Sequence, residues 1–127
     1  MKDEQKKDIA LTFIRSLQQR DPLLLKSVLT EAAVWSLPGT SEVSGEADGA
    51  DAIVARGQVL GEHGVHFELL HVIYGHEGMG VMLHNTGKCK SRTLDEYLTS
   101  IFRLEGEKIA RIDTYISDVP MLDAYVA

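Results

Sequence analysis

Residues Arg92 to Asp118 read RTLDEYLTSIFRLEGEKIARIDTYISD. Two runs of alternating apolar and polar residues flank Glu105-Gly106-Glu107, the pattern of a long antiparallel β-hairpin. Successive side chains of a strand point to opposite faces. Leu98, Ser100, Phe102 and Leu104 therefore share one face of the first strand, with Tyr97, Thr99, Ile101 and Arg103 on the other. In the second strand Ala110, Ile112, Thr114 and Ile116 oppose Ile109, Arg111, Asp113 and Tyr115. A three-residue loop combines the apolar faces and predicts Tyr97 opposite Tyr115 and Thr99 opposite Asp113.

Outward from the hairpin, the 127 residues suffice for one domain with a sizeable core and for no second one. The formal net charge of −6 and the lack of any basic cluster denser than Lys88 to Arg92 argue against nucleic acid or an anionic membrane as partner. Cys89 is the only cysteine, which excludes an internal disulfide. Apolar runs fall short of the roughly twenty residues of a membrane span, and the polar start MKDEQKKD precedes no signal-peptide core. The expectation is a cytoplasmic protein.

Upstream, Ile9, Leu11, Phe13, Ile14 and Leu17 recur at helical spacing, so Asp3 to Gln19 is predicted as an amphipathic helix. Asp21-Pro22 starts a second, with Asp21 as N-cap and Pro22 at the first helical position. Ala32 to Leu37 reads as a strand halted by Pro38-Gly39, and Ser41 to Gly49 leaves room for a short strand and a turn. A third helix runs from Ala50 to about Leu60. Beyond Gly64 the pattern is β: Val65 to Tyr74, Gly80 to Thr86, Leu94 to Leu104 and Lys108 to Ser117 form an antiparallel meander. Val119-Pro120 then opens a short terminal helix with Asp118 as its N-cap or just before it. Helices gathered first and strands last predict an α+β fold, a cone-shaped curved antiparallel sheet packed against about three N-terminal helices. Its apolar interior can stay partly open as a pocket.

The order of these elements resembles the SnoaL-like branch of the nuclear-transport-factor-2-like superfamily, which also holds ketosteroid isomerases, limonene epoxide hydrolases and polyketide cyclases. The residues carrying the resemblance are Val34-Trp35-x-Leu37-Pro38-Gly39, Ser44-Gly45-x-x-x-Gly49, Leu83-His84, Arg92-x-Leu94-Asp95, and Phe102-Arg103-Leu104-x-Gly106-x-Lys108-Ile109 leading to Tyr115-x-x-Asp118. It spans nearly the whole chain as a single SnoaL-like domain, residues 1–127. The resemblance implies a cystatin-like α+β roll with a pocket between helices and sheet, and a homodimer made through the outer sheet face. Such a fold hosts many chemistries as well as plain binding, so the reaction has to be read from the site.

With the apolar hairpin face toward the pocket, Ser100 and Thr114 point inward, joined from neighbouring strands by His84 and Trp35, and Leu37, Phe102 and Ile112 complete the wall. No carboxylate falls plainly on that face, although the enolising relatives use an Asp as proton acceptor. In the epoxide-hydrolase relatives one strand presents Arg-x-Asp and the last presents a second Asp before its Tyr. Here the matching positions are His84-Asn85-Thr86 and Thr114, so that triad is absent. His84, whose imidazole titrates near working pH, and Asp118, at the strand's end, are the candidate bases. Asp118 has the competing role of helix cap, and Trp35 offers both a core packing surface and an N–H donor.

The opposite hairpin face carries Asp95, Tyr97, Thr99, Arg103, Arg111, Asp113 and Tyr115, a polar-aromatic mixture suited to a protein interface. A homodimer through Tyr97, Thr99, Arg111, Asp113 and Tyr115 is expected. Were Asp113 and Tyr97 to face inward instead, the hairpin itself would be the active site. His63, His66, His71, His76 and His84 do not converge, so no metal is expected, and no cofactor either. The functional expectation is a small-molecule-binding protein, an isomerase or cyclase acting by proton transfer on an apolar ketone-bearing substrate. The alternative is a non-catalytic ligand-binding or protein-interaction module of the same fold.

Overall fold

A computed structural model describes residues 1–127. Helix α1 (Asp3–Gln18) buries Ala10, Phe13, Ile14 and Leu17, one stripe of a 3.6-residue repeat. It ends at Arg20, whose φ of +55° leaves the helical region. Asp21 then caps α2 (Pro22–Ser27), its carboxylate accepting from Leu24 N at 3.1 Å, as its position before a proline predicts. Strand β1 (Leu29–Leu37) pairs with the short β2 (Gly45–Asp48), and α3 (Ala50–Glu62) follows with Ile53, Gly57 and Leu60 buried. The remaining elements are β3 (His66–Tyr74), β4 (Gly78–Cys89), β5 (Arg92–Glu105), β6 (Lys108–Ile116) and α4 (Val119–Tyr125). No helix is long and apolar enough to cross a membrane.

The fold is α+β, with the helices packed on a six-stranded sheet of order β2-β1-β6-β5-β4-β3. It is mixed rather than wholly antiparallel. The meander β3 to β6 is antiparallel as expected, but β1 lies beside β6 and runs parallel to it. The hairpin β1–β2 occupies one edge of β1, so its other edge is left for the last strand of the meander. Register shifts interrupt β1, β3 and the β5–β6 pair, and such bulges bend strands, curving the sheet around the helices. Phe13 of α1 fills the concave side, edge-on to Trp35 at 5.6 Å and to Phe102 at 5.1 Å between ring centroids.

The hairpin register differs from the sequence expectation. Glu105 pairs with Lys108, so the turn holds only Gly106 and Glu107, with Gly106 at a φ of +62° that favours glycine. A bulge then shifts the pairing between Arg103 and Leu104, and farther along Thr99 faces Tyr115 and Ile101 faces Asp113. The displacement from the expected partners is two residues. Because side chains alternate with a period of two, residues beyond the bulge keep their predicted faces, whereas on the turn side of it Ile109, expected on the outer face, is buried in the core.

Candidate functional site

Between α1, α3, α4 and the concave face of the sheet lies a cavity of about 30 Å³, room for a single water-sized group. Its wall is mostly apolar, including Phe13, Leu60, Phe67, Leu83, Leu98 and Leu122. Four polar side chains interrupt it: Asn85 from β4, Glu96 and Ser100 from β5, and Thr114 from β6.

The sequence-predicted residues divide by position. Trp35, Leu37, Ser100 and Thr114 line the cavity. Phe102 and Ile112 are buried in the packed core and do not reach the cavity wall. Trp35 Nε1 donates to Thr114 Oγ1 at 2.9 Å, and Thr114 Oγ1 shares a hydrogen bond of 2.8 Å with Ser100 Oγ. On its other side Trp35 is covered by Arg56, whose guanidinium lies 5.3 Å from the ring centroid and donates to the carbonyls of Trp35 and Gly45. With no carboxylate beside it, Arg56 is held by burial below its ordinary pKa, at about 10.

His84 is not in the cavity. It stands on the outer face of β4, where it stacks on Tyr97 at 4.5 Å and bonds Asp95 at 2.6 Å and Glu68 at 3.3 Å. The hydrogen bond to Asp95 does most to raise its pKa, with Glu68 adding to it. Inward-facing positions of β4 are Val81, Leu83 and Asn85, which excludes His84 by parity. Asp118 takes the capping role: its carboxylate accepts from Met121 N at 3.0 Å and starts α4. The polar-aromatic hairpin face turns outward, with Tyr97 and Tyr115 exposed, so Asp113 and Tyr97 do not form an interior site.

A carboxylate does fall on the inner face, contrary to the sequence expectation. Glu96 is 3 % exposed and stands between the buried Leu94 and the half-buried Leu98. Burial, and secondarily the charge of Asp118, push its pKa up to about 7. Directly opposite in the β4–β5 pairing is Asn85, also buried. Neither Glu96 Oε2 nor Asn85 Oδ1 has a hydrogen-bond partner, an arrangement folded proteins rarely leave without purpose. The signal for Glu96 was in the alternation itself, since Leu94, Glu96, Leu98 and Ser100 continue one face.

A larger hollow of about 410 Å³ lies on the outer face, among Ile73, Tyr74, Ile101, Arg103, Arg111 and Asp113. It is shallower in chemistry despite its size. Arg111 is already paired with Asp113 and Glu46 at 3.1 Å, and none of its side-chain atoms is a buried orphan.

Comparison with solved structures fits this geometry. Bal32a, from a soil-derived mobile gene cassette, superposes with a TM-score of 0.91 at 22% identity over 98% of each chain. An NTF2-like protein from Burkholderia xenovorans LB400 gives 0.84 at 23% identity, covering all of this chain and 99% of the other. The chain has the NTF2-like, cystatin-like fold. A provisionally assigned SnoaL-like polyketide cyclase from Jannaschia sp. CCS1 shares this NTF2-like cone, with a TM-score of 0.79 at 13% identity over 98% of this chain and 93% of that one. No protein-family model and no curated protein sequence matches the chain.

Proposed function

We propose that the interior of the NTF2-like cone is a small-molecule site in which Glu96 moves a proton. The observation that carries this is a buried, unpartnered carboxyl with a pKa of about 7, beside its cross-strand neighbour Asn85 in the wall of a mostly apolar cavity. A carboxyl in that range is half ionised at neutral pH and can both take and return a proton. Chemistry of this kind suits isomerisation or intramolecular cyclisation of an apolar ketone, with Glu96 accepting an α-proton and the amide N–H of Asn85, its cross-strand neighbour, bonding the enolate oxygen. A SnoaL-like cyclase assignment among the structural neighbours agrees with that class. A cavity of about 30 Å³ admits such a substrate only when a wall moves outward.

The test is exchange of the α-protons of 2-tetralone in D₂O, followed by NMR. Exchange above the buffer rate, lost by roughly 10²-fold or more in Glu96→Gln, is the expected result. Equal rates for the two proteins, or no exchange above buffer, would remove Glu96 as the base.

A second reading has its own observation. Leu70, Ile73, Met82, Tyr97, Ile101 and Tyr115 are all exposed on the outer face of β3 to β6, more apolar side chain than a solvated sheet face needs. That face is the proposed homodimer interface, with Thr99, Arg111 and Asp113 among its polar members. A module acting through this face alone would leave the interior without turnover.

A further inference from the structure

The outer face of the sheet is uneven along β4. Its outward positions are Gly78, Gly80, Met82 and His84, so two positions without side chains are followed by two with large ones. At the glycine end lies the hollow of about 410 Å³, where Gly80 has Ile73 of β3 on one side and Ile101 of β5 on the other. At the opposite end stands a ridge. There the imidazole of His84 stacks on the ring of Tyr97 at 4.5 Å, and Tyr97 is 56 % exposed. Gly80 and His84 are four residues apart on one face, roughly 13 Å along the strand.

Charge is distributed along the same direction. Glu68 and Asp95 flank the ridge, both bonded to His84. Arg103 lines the hollow, is exposed, and forms no ion pair in this chain. Glu77 lines the same hollow without reaching it, and Arg111 is engaged by Asp113 and Glu46.

On the reading of this face as the homodimer interface, we infer that each copy seats its Tyr97 ridge in the hollow of the other. A two-fold axis between the facing sheets, crossing the strands near the row Met82, Thr99 and Tyr115, exchanges the two ends of the face. Each Tyr97 ring then covers Gly80 between Ile73 and Ile101 of the second copy, removing exposed apolar surface from water. Arg103 meets the end that carries Asp95 and Glu68 and gains the carboxylate it lacks. Packing ridge on ridge would instead leave both hollows open and set the two acidic ends against each other. The exchanged arrangement uses each hollow once, so the pair is closed and recruits no third chain.

Cross-linking with a short bismaleimide tests the arrangement in a Cys89→Ser background, which removes the only native thiol. Tyr97→Cys and Ile73→Cys chains, one of them ¹⁵N-labelled, are mixed at micromolar concentration and the products weighed by mass spectrometry. A mixed pair keeps one of its two ridges intact, since the Ile73→Cys chain still carries Tyr97. The mixture should give roughly tenfold more cross-linked pair than either variant alone, because the interface raises the effective concentration of one thiol at the other. Sedimentation of the unaltered chain separates the two levels of the claim. A dimer whose mixture cross-links no better than the single variants would overturn the ridge-in-hollow arrangement while leaving the dimer face intact. A monomer would overturn both.

Discussion

Asn85 and Glu96 face each other across the β4–β5 pairing, both buried, with Asn85 Oδ1 and Glu96 Oε2 each lacking a protein donor. Cross-strand neighbours sit about 5 Å apart at Cβ, so one bound group can touch both. Around them the wall is apolar, which is what raises the carboxyl's pKa and what would make its proton transfer effective.

The first consequence is a pH dependence of stability. Glu96 has a folded pKa of about 7 against an ordinary 4.5, so the folded chain binds this proton more tightly than the unfolded chain. Its contribution is most favourable below the unfolded value and is lost as pH rises through 7. Urea melts of Glu96→Gln and the unaltered protein should agree most closely near pH 4, where the carboxyl is neutral. By pH 8 the variant should have gained on the order of 2 kcal/mol relative to it. A relative gain independent of pH would contradict the burial of an ionisable group at this position.

Asp118 supplies a second test. Its charge contributes to the raised pKa of Glu96 while its side chain caps α4. Asparagine caps helices as well as aspartate does. Asp118→Asn should therefore keep α4 and lower the Glu96 midpoint, though not to the ordinary value, because burial is the larger cause. Carboxyl ¹³C NMR reads the midpoint directly, and an unchanged value would show that Asp118 does not act on Glu96.

His84, on the outer face, should titrate above its ordinary value of 6.5, and Asp95→Asn should bring it down, since the Asp95 hydrogen bond is the leading cause. Imidazole ¹H–¹⁵N spectra follow both. Replacing His84 by Ala should leave ligand binding in the cavity unchanged, because the side chain points away from it.

Ile101 and Tyr115 are exposed at the middle of the proposed dimer face. Sedimentation at micromolar concentration should report a dimer for the unaltered chain and a monomer for the Ile101→Glu, Tyr115→Glu pair, since charges at an apolar contact lose their hydration. A monomeric unaltered chain would remove the interface.

Gly78, at the start of β4, is a position where space alone decides. A Cβ there would lie 1.8 Å from Phe102 O, a backbone atom of the neighbouring strand. Gly78→Ala should cost about 1–3 kcal/mol in a urea melt, with the pairing to Arg103 displaced. An alanine tolerated without loss would show that the two strands can separate freely.

Much of this architecture is written in residue order. Asp21-Pro22 and Asp118-Val119-Pro120 cap helices where such pairs should, and the hairpin from Leu98 to Arg103 and Arg111 to Ile116 keeps its faces despite a two-residue difference of register, because parity survives an even shift, while the bulge nearer the turn moves Ile109 to the core. Parity also explains the misses. In β4 the alternation is blurred, since Met82 and Leu83 are both apolar yet face opposite sides. Without the partner strand nothing in that run tells whether His84 or Asn85 points inward. Glu96 was legible by the same parity, since Asp95 and Tyr97 on the outer face turn Glu96 inward with Leu94 and Leu98, but the inner face was followed only from Leu98 onward. The parallel β1–β6 contact joins strands far apart in the chain, and no local pattern announces it.

The central claim, that one glutamate inside the cone is poised for proton transfer near neutral pH, is most directly tested by titrating the glutamate carboxyls by ¹³C NMR from pH 3 to 9. The structure predicts one resonance with a midpoint near 7 that vanishes in Glu96→Gln. Glutamates that all titrate below about 5, with no resonance assigned to Glu96 set apart from the rest, would contradict it.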